Sequence, residues 1–268
     1  MKVLLIGAGN MGLTYARGMS ASTILGGKKI MILEKSPEKI KLLKKEPDFK
    51  IFDNIKDCLP DAEIIFIAVK PYHASDLFAS IKPYVNPNQV FVSVMAGVTI
   101  KSIQNGLGIK KVVRAMPNLP AMVNKGMTAY TSSKEVSDTV LLNIQTLLDT
   151  TGKSLKVKNE EFIDASTGIS GSGPAYVFYF MESMMNAAIK MGFSEKESRM
   201  LVSQTFEGAV EIFNQSDISP EEWMNRVASK GGTTEAALNS MNQNKVKKYI
   251  EEAAFAAFHR AVELGKEK

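Results

Sequence analysis

Cysteine is almost absent from this sequence: Cys58 is the only one, so no internal disulfide can form and no cysteine-built metal cluster can exist. Histidine is nearly as scarce. His73 and His259 lie far apart without ligand spacing, which excludes a structural zinc site, and no bound metal is expected. No apolar run approaches the roughly 20 residues that a membrane-crossing helix needs, so no membrane association is expected. The apolar start, Val3 to Ile6, is too short for a signal peptide and passes directly into glycines, which leads us to expect a soluble, cytoplasmic protein. Concentrated charge is missing as well. The net charge is +5, but the densest group of lysines, Lys39 to Lys45, is interrupted by Ile40, Leu42 and Leu43 and reads as the solvated face of an amphipathic helix. Without a basic stripe carrying interleaved aromatics, a nucleic-acid partner is not expected. Internal repeats, low-complexity segments and flexible linkers are also missing.

What is present is ordinary globular material. The 268 residues are 45% hydrophobic and 23% charged, enough for one large domain or two modest ones with a real core. Lys2 to Ile6 forms an apolar run, as expected of a strand buried on both faces. It leads into Gly7-Ala8-Gly9-Asn10-Met11-Gly12 and then a helix from Met11 to Met19. This is G-x-G-x-x-G between strand and helix. Gly7 permits the tight turn, Gly9 lets backbone approach a pyrophosphate, and Gly12 lets helix and strand pack closely. A second strand, Lys29 to Leu33, ends at Glu34, where an acid can accept from an adenosine ribose and favour NAD. Lys35 and Ser36 follow at once and could instead hold a 2′-phosphate, so NADH and NADPH both stay open.

Further strands are predicted at Glu63 to Val69, Gln89 to Met95 and Lys110 to Ala115. Each ends in a loop of unusual composition: Ala68-Val69-Lys70-Pro71, Ala96-Gly97-Val98 and Arg114-Ala115-Met116-Pro117-Asn118. Ligands of open α/β sheets sit outside these carboxyl ends. Pro71 and Pro117 stiffen their loops, and Gly97 removes a side chain where a ring could rest. Asn54 either caps a helix or touches adenine. Met127 to Thr131 and Ser154 to Lys158 read as two more strands flanking a helix from Lys134 to Thr150.

From Glu160 the strand signal stops. Ser170-Gly171-Ser172-Gly173-Pro174-Ala175-Tyr176 opens a helix whose apolar residues from Ala175 to Met191 cover more than one stripe. Such a helix should be buried on most sides, part of that burial coming from another subunit. Helices are expected over 194–214, 220–228, 234–241 and 246–264. Trp223 should anchor the packing before the stretch Ser229-Lys230-Gly231-Gly232-Thr233-Thr234. There, paired glycines admit a ligand close to backbone, and the two threonines open a helix whose free N–H groups suit a small carboxylate. Arg226 faces either cofactor or solvent, and His259 reads as an ordinary helix residue.

Taken together, these segments resemble the pyrroline-5-carboxylate reductase family, in family order and over essentially the whole chain. The resemblance implies an α/β fold class with an N-terminal Rossmann-type dinucleotide-binding domain (1–158) and an all-α dimerisation and substrate domain (159–268). It implies NADPH- or NADH-dependent reduction of 1-pyrroline-5-carboxylate to L-proline by a homodimer that assembles into a larger homo-oligomer. By position it places Ser229, Gly231, Gly232, Thr233 and Thr234 at the substrate, with Thr234 on the ring nitrogen as the one catalytic side chain. Gly7, Ala8, Gly9, Asn10, Met11, Gly12, Glu34, Lys35, Ser36, Asn54, Val69, Lys70, Pro71, Ala96 and Gly97 fall at cofactor positions, with Glu161 and Arg226 less firmly so. Glu34 departs from the small or neutral residue expected there. Two other readings differ in what they require. A β-hydroxyacid dehydrogenase needs a catalytic lysine on the long helix, where Lys190 lies at the far end, and a non-catalytic dinucleotide sensor has no need of Thr234 beside a glycine pair.

Overall fold

The structure is a computed structural model describing residues 1–25 and 30–266. The chain divides into two compact units, Met1–Ser172 with Ala256–Lys268, and Gly173–Phe255. In the first unit, eight strands form one sheet: β1 (Val3–Ile6), β2 (Ile30–Leu33), β3 (Phe49–Phe52), β4 (Ile64–Ile67), β5 (Val90–Ser93), β6 (Val112–Met116), β7 (Gly126–Ser132) and β8 (Gly152–Lys156). Their order is β3-β2-β1-β4-β5-β6-β7-β8. The first six run parallel, β7 is antiparallel to β6, and β8 is parallel to β7. Parallel neighbours need crossovers, among them α1 (Asn10–Ala21), α2 (Pro37–Leu43), α3 (Ala74–Ile81) and α4 (Ile100–Leu107); α5 (Asp138–Leu148) joins β7 to β8, and α6 (Glu160–Ser166) follows.

Alternating side chains of each strand point to opposite faces, so the sheet carries two cores. Val3, Leu5, Ile32, Phe66 and Val92 pack with Tyr15 and Met19 of α1, while Leu4, Ile6, Ile65 and Phe91 pack with Phe78 and Ile103 from the other side. Burial on both faces is why β1, β2 and β4 are unbroken apolar runs and β5 is apolar up to the buried Ser93. The Tyr15 hydroxyl, fully buried, meets Thr128 Oγ1 at 2.9 Å and ties α1 to β7.

Strand β3 is the element the sequence does not announce. Its four residues, Phe-Lys-Ile-Phe, sit at the sheet edge with only Phe49 buried, and a polar turn containing Pro47 precedes them. An edge strand this short and half-exposed carries too little periodicity to stand out. Lys29, expected to begin β2, lies outside the described residues.

The first compact unit runs on to Ser172 because α6 and the π-helical turn Thr167–Gly171 pack on β6 and β7. Asn118 fixes that turn: its Nδ2 donates to the Ser170 carbonyl at 3.0 Å while its Oδ1 accepts from Met127 N–H at 2.8 Å. The last residues of the chain also belong to the first unit.

The second unit is helical: α7 (Gly173–Lys190), α8 (Glu195–Asn214), α9 (Pro220–Val227), α10 (Thr233–Gln243) and the first part of α11 (Val246–Lys266). Ser194 and Glu197 cap α8 reciprocally, and Ser219 with Pro220 opens α9. The expectation that α7 is buried on most sides does not hold within one chain. None of its residues is buried, and Phe178 (58% exposed), Tyr179, Met184 and Ile189 are open. Periodicity reports that a face wants covering; it does not report whether the cover belongs to the same chain.

Candidate active site

A cleft of ≈ 840 Å³ opens at the carboxyl ends of the central strands, at the point where the strand order reverses about β1. It brings together Gly7, Ala8, Gly9, Asn10, Met11, Glu34, Lys35, Val69, Lys70, Pro71 and Ala96, all expected from the sequence, and adds Lys39, His73 and Asp76. The glycine roles are visible locally. Gly7 sits at φ 97, a left-handed backbone closed to most residues. A Cβ on Gly12 would run into the Gly7 carbonyl oxygen and approach Ala68 Cβ at 3.2 Å, whereas a Cβ on Gly9 would meet nothing within 4 Å. The space over Gly9 is open, and Gly9 caps α1 with no side-chain hydrogen bond. The N-terminus of α1 thus presents its N–H groups to that space, as a pyrophosphate requires. The residues present fit a dinucleotide.

Glu34, at the end of β2, is the most constrained acid in the cleft, with its side chain 12% exposed. Its Oε2 accepts from Ala8 N–H at 3.0 Å, and its Oε1 accepts from Lys35 N–H at 2.8 Å and Ser36 N–H at 3.0 Å. Lys39 Nζ stands 3.9 Å from Oε2. Burial pushes this carboxyl up, but the N–H groups of Ser36, Lys35 and Ala8, with Lys39, outweigh it and hold the group below the ordinary carboxylate value.

Other expected residues carry local duties. Ser36 caps α2, its Oγ accepting from Lys39 N–H at 3.4 Å. Asn54 takes the capping alternative, accepting from Lys56 N–H at 3.1 Å. Gly97 lies at φ 68, and a Cβ there would press on the Leu264 carbonyl oxygen at 3.1 Å, so the close approach of α11 is one reason for its glycine. Arg114 is a buried strut: Nη1 donates to Glu160 at 3.0 Å and Nη2 to Asp164 at 2.6 Å, tying β6 to α6. Glu160 also accepts from Ile100 N–H at 3.0 Å. These acids were not singled out from sequence, although their spacing of four on one helix face was a usable signal.

Within the second unit, Gly231 adopts φ 74 and Gly232 is the N-cap of α10, again without a side-chain cap. Gly232 N–H donates to the Ser229 carbonyl at 2.9 Å, closing a tight turn. A Cβ on Gly232 would lie 2.5 Å from Ser229 Oγ. Thr233 and Thr234 open the helix as expected. Glu235, which the sequence reading passed over, accepts from Gly231 N–H at 2.7 Å and sets the loop's curvature. Thr234 and Trp223 line one small apolar pocket with Phe213 and Leu238. Arg226 pairs with Glu222 at 3.4 Å and lies over the Trp223 ring, half exposed.

A Rossmann unit with this cleft, followed by a helical unit, defines an NAD(P)-dependent oxidoreductase. Residues 2–97 match a family model described as NADP oxidoreductase, coenzyme F420-dependent, and residues 160–264 match one described as pyrroline-5-carboxylate reductase dimerisation. The chain is 32% identical over 267 residues to the pyrroline-5-carboxylate reductase of Pseudomonas aeruginosa (99% of this chain, 97% of that one) and 35% over 251 residues to pyrroline-5-carboxylate reductase 2 of Bacillus subtilis (93% and 90%). The crystal structure of Plasmodium falciparum pyrroline carboxylate reductase with NADP bound superposes with a TM-score of 0.85 at 30% identity, covering 99% of this chain and 98% of that one. The chain belongs to the pyrroline-5-carboxylate reductase family.

Proposed function

We propose that this chain reduces 1-pyrroline-5-carboxylate to L-proline with NADH or NADPH, the last step of proline biosynthesis, in the cytoplasm. The observation that carries the reading is the Ser229–Thr234 loop, in a family defined by this reaction. A left-handed Gly231, a side-chain-free N-cap at Gly232 and two threonines opening α10 suit a carboxylate on a small ring. When bound, a reduced nicotinamide would supply the hydride for the imine carbon; the nitrogen takes its proton from solvent, and the C=N bond becomes C–N.

This chain's residues position the reactants. Gly7 to Gly12 with the N-terminus of α1 would hold the pyrophosphate, Glu34 to Ser36 the adenosine end, and Val69 to Pro71 with Ala96 and Gly97 the remainder of the cofactor. Ser229 and Thr233 hold the carboxylate through hydroxyl and N–H donors, on a turn that Gly231 and Gly232 shape with their own N–H groups bonded inside the loop. The Thr234 hydroxyl orients the ring nitrogen. A cyclic iminium carbon is already electrophilic, so orientation contributes more than a strong acid would. The helical part carries the family's dimerisation module, and the chain forms a homo-oligomer through it. The open apolar face of α7 supports that pairing, and we propose that dimers build a larger homo-oligomer.

Thr234→Ala tests the assignment. It should lower kcat by about ten- to a hundred-fold, the cost of one lost hydrogen bond to a charged group, and leave the NADH dissociation constant within about two-fold. An unchanged kcat would reject Thr234 as the orienting group.

A further inference from the structure

We infer that this chain selects NADH over NADPH, and that Glu34 is the selecting residue because its carboxylate already occupies the donor cluster a 2′-phosphate would need. The inference rests on the dinucleotide-binding reading of the cleft. At the end of β2, three backbone N–H groups converge, those of Ala8, Lys35 and Ser36, and all three are taken by Glu34 at 2.8–3.0 Å. The nearest flexible cation, Lys39, lies 3.9 Å from the same carboxylate. Ser36 Oγ accepts from Lys39 N–H at the N-terminus of α2, which uses a lone pair and not its O–H.

A 2′-phosphate arriving here would find the three backbone donors committed and its nearest cation facing an internal anion, and it would add about two negative charges beside a third. Removal of Glu34 to one side is no simple remedy. Its bond to Ala8 ties it to the phosphate-binding loop itself, and leaving would strand three N–H groups in a partly buried site. A ribose hydroxyl meets the opposite situation. An ionised carboxylate offers about four acceptor sites, and three are used, so one remains for a donor. Lys35 is exposed, so its ammonium, although a donor, offsets little of the repulsion at this site.

The test is a binding titration of the full-length protein with NADH and NADPH at near-physiological salt, without imine, on the wild type, Glu34→Ser and Glu34→Gln. The wild type should bind NADH on the order of a hundred-fold more tightly than NADPH, the scale of a like-charge juxtaposition. Glu34→Ser should tighten NADPH by ten-fold or more and weaken NADH. Glu34→Gln keeps the side chain's shape and an acceptor for the N–H cluster, so it still reports if the serine variant folds poorly. It should tighten NADPH by a smaller factor. A wild type that binds NADPH as tightly as NADH, or variants that leave the ratio unmoved, would overturn the inference. Imine reduction is scored separately. Selective NADH binding without oxidation by pyrroline-5-carboxylate would sink the proposed reaction and leave the selectivity standing, and turnover with equal use of both cofactors would do the reverse.

Discussion

Replacing Gly12 with alanine should cost this protein more than about 3 kcal/mol of stability and raise its NADH dissociation constant by at least about a hundred-fold. The Cβ would collide with the Gly7 carbonyl oxygen, and Ala68 Cβ and Leu5 Cδ2, each at 3.2 Å, leave no direction in which to relax. The obstacle is backbone, not the end of a flexible side chain. Helix α1 would have to lift from β1, carrying with it the N–H groups that receive the pyrophosphate. Gly9→Ala is the contrasting control. Its Cβ meets nothing in the free chain, so stability should change by no more than about 1 kcal/mol. Cofactor affinity should still fall about ten-fold or more, because the methyl stands where the pyrophosphate approaches. Thermal unfolding beside cofactor titration of the two variants separates a packing glycine from a binding glycine. If Gly9→Ala binds NADH like the wild type, the cleft does not hold a dinucleotide in the manner described.

Arg114→Leu should lower stability by about 3 kcal/mol, a fall of roughly 10 °C in Tm for a unit of this size. The guanidinium is almost fully buried and is shared between Glu160 and Asp164, whose side chains are 31% and 17% exposed. Removing it leaves two carboxylates side by side on α6, at its junction with β6, without that counter-ion. Arg114→Lys should be intermediate, since one ammonium cannot replace two forked donors. Because Arg114 acts as a strut, kcat per folded molecule should stay near the wild-type value at a temperature where the variant is folded. A normal Tm with lost activity would place Arg114 at the ligand instead.

The cofactor half was legible because doubly buried strands leave unbroken apolar runs and because the Gly7–Gly12 turn has few physical alternatives. Strand β3 was hidden by its edge position, where burial no longer enforces a pattern. The long helix α7 announced an apolar surface correctly but not its owner, since the same residues would cover a core or a second subunit. Glu34 was recognised by its place at the end of β2, yet its decisive bond reaches Ala8, across the first crossover, and backbone donors leave no mark in a sequence. The Arg114 segment stood out by composition; its role as a buried ion-pair centre needed α6 folded against β6. Glu235 was overlooked because a first-turn glutamate is common in helices, and only the left-handed Gly231 turns its carboxylate into a brace for the loop.

Imine reduction by this chain is tested by oxidation of NADH and NADPH by the purified protein with pyrroline-5-carboxylate as acceptor, with the product identified. One reduced nicotinamide should be consumed for each L-proline formed, with NADH the better donor and no turnover in the absence of imine. Binding of reduced nicotinamide with no proline formed from either cofactor would rule out imine reduction by this protein.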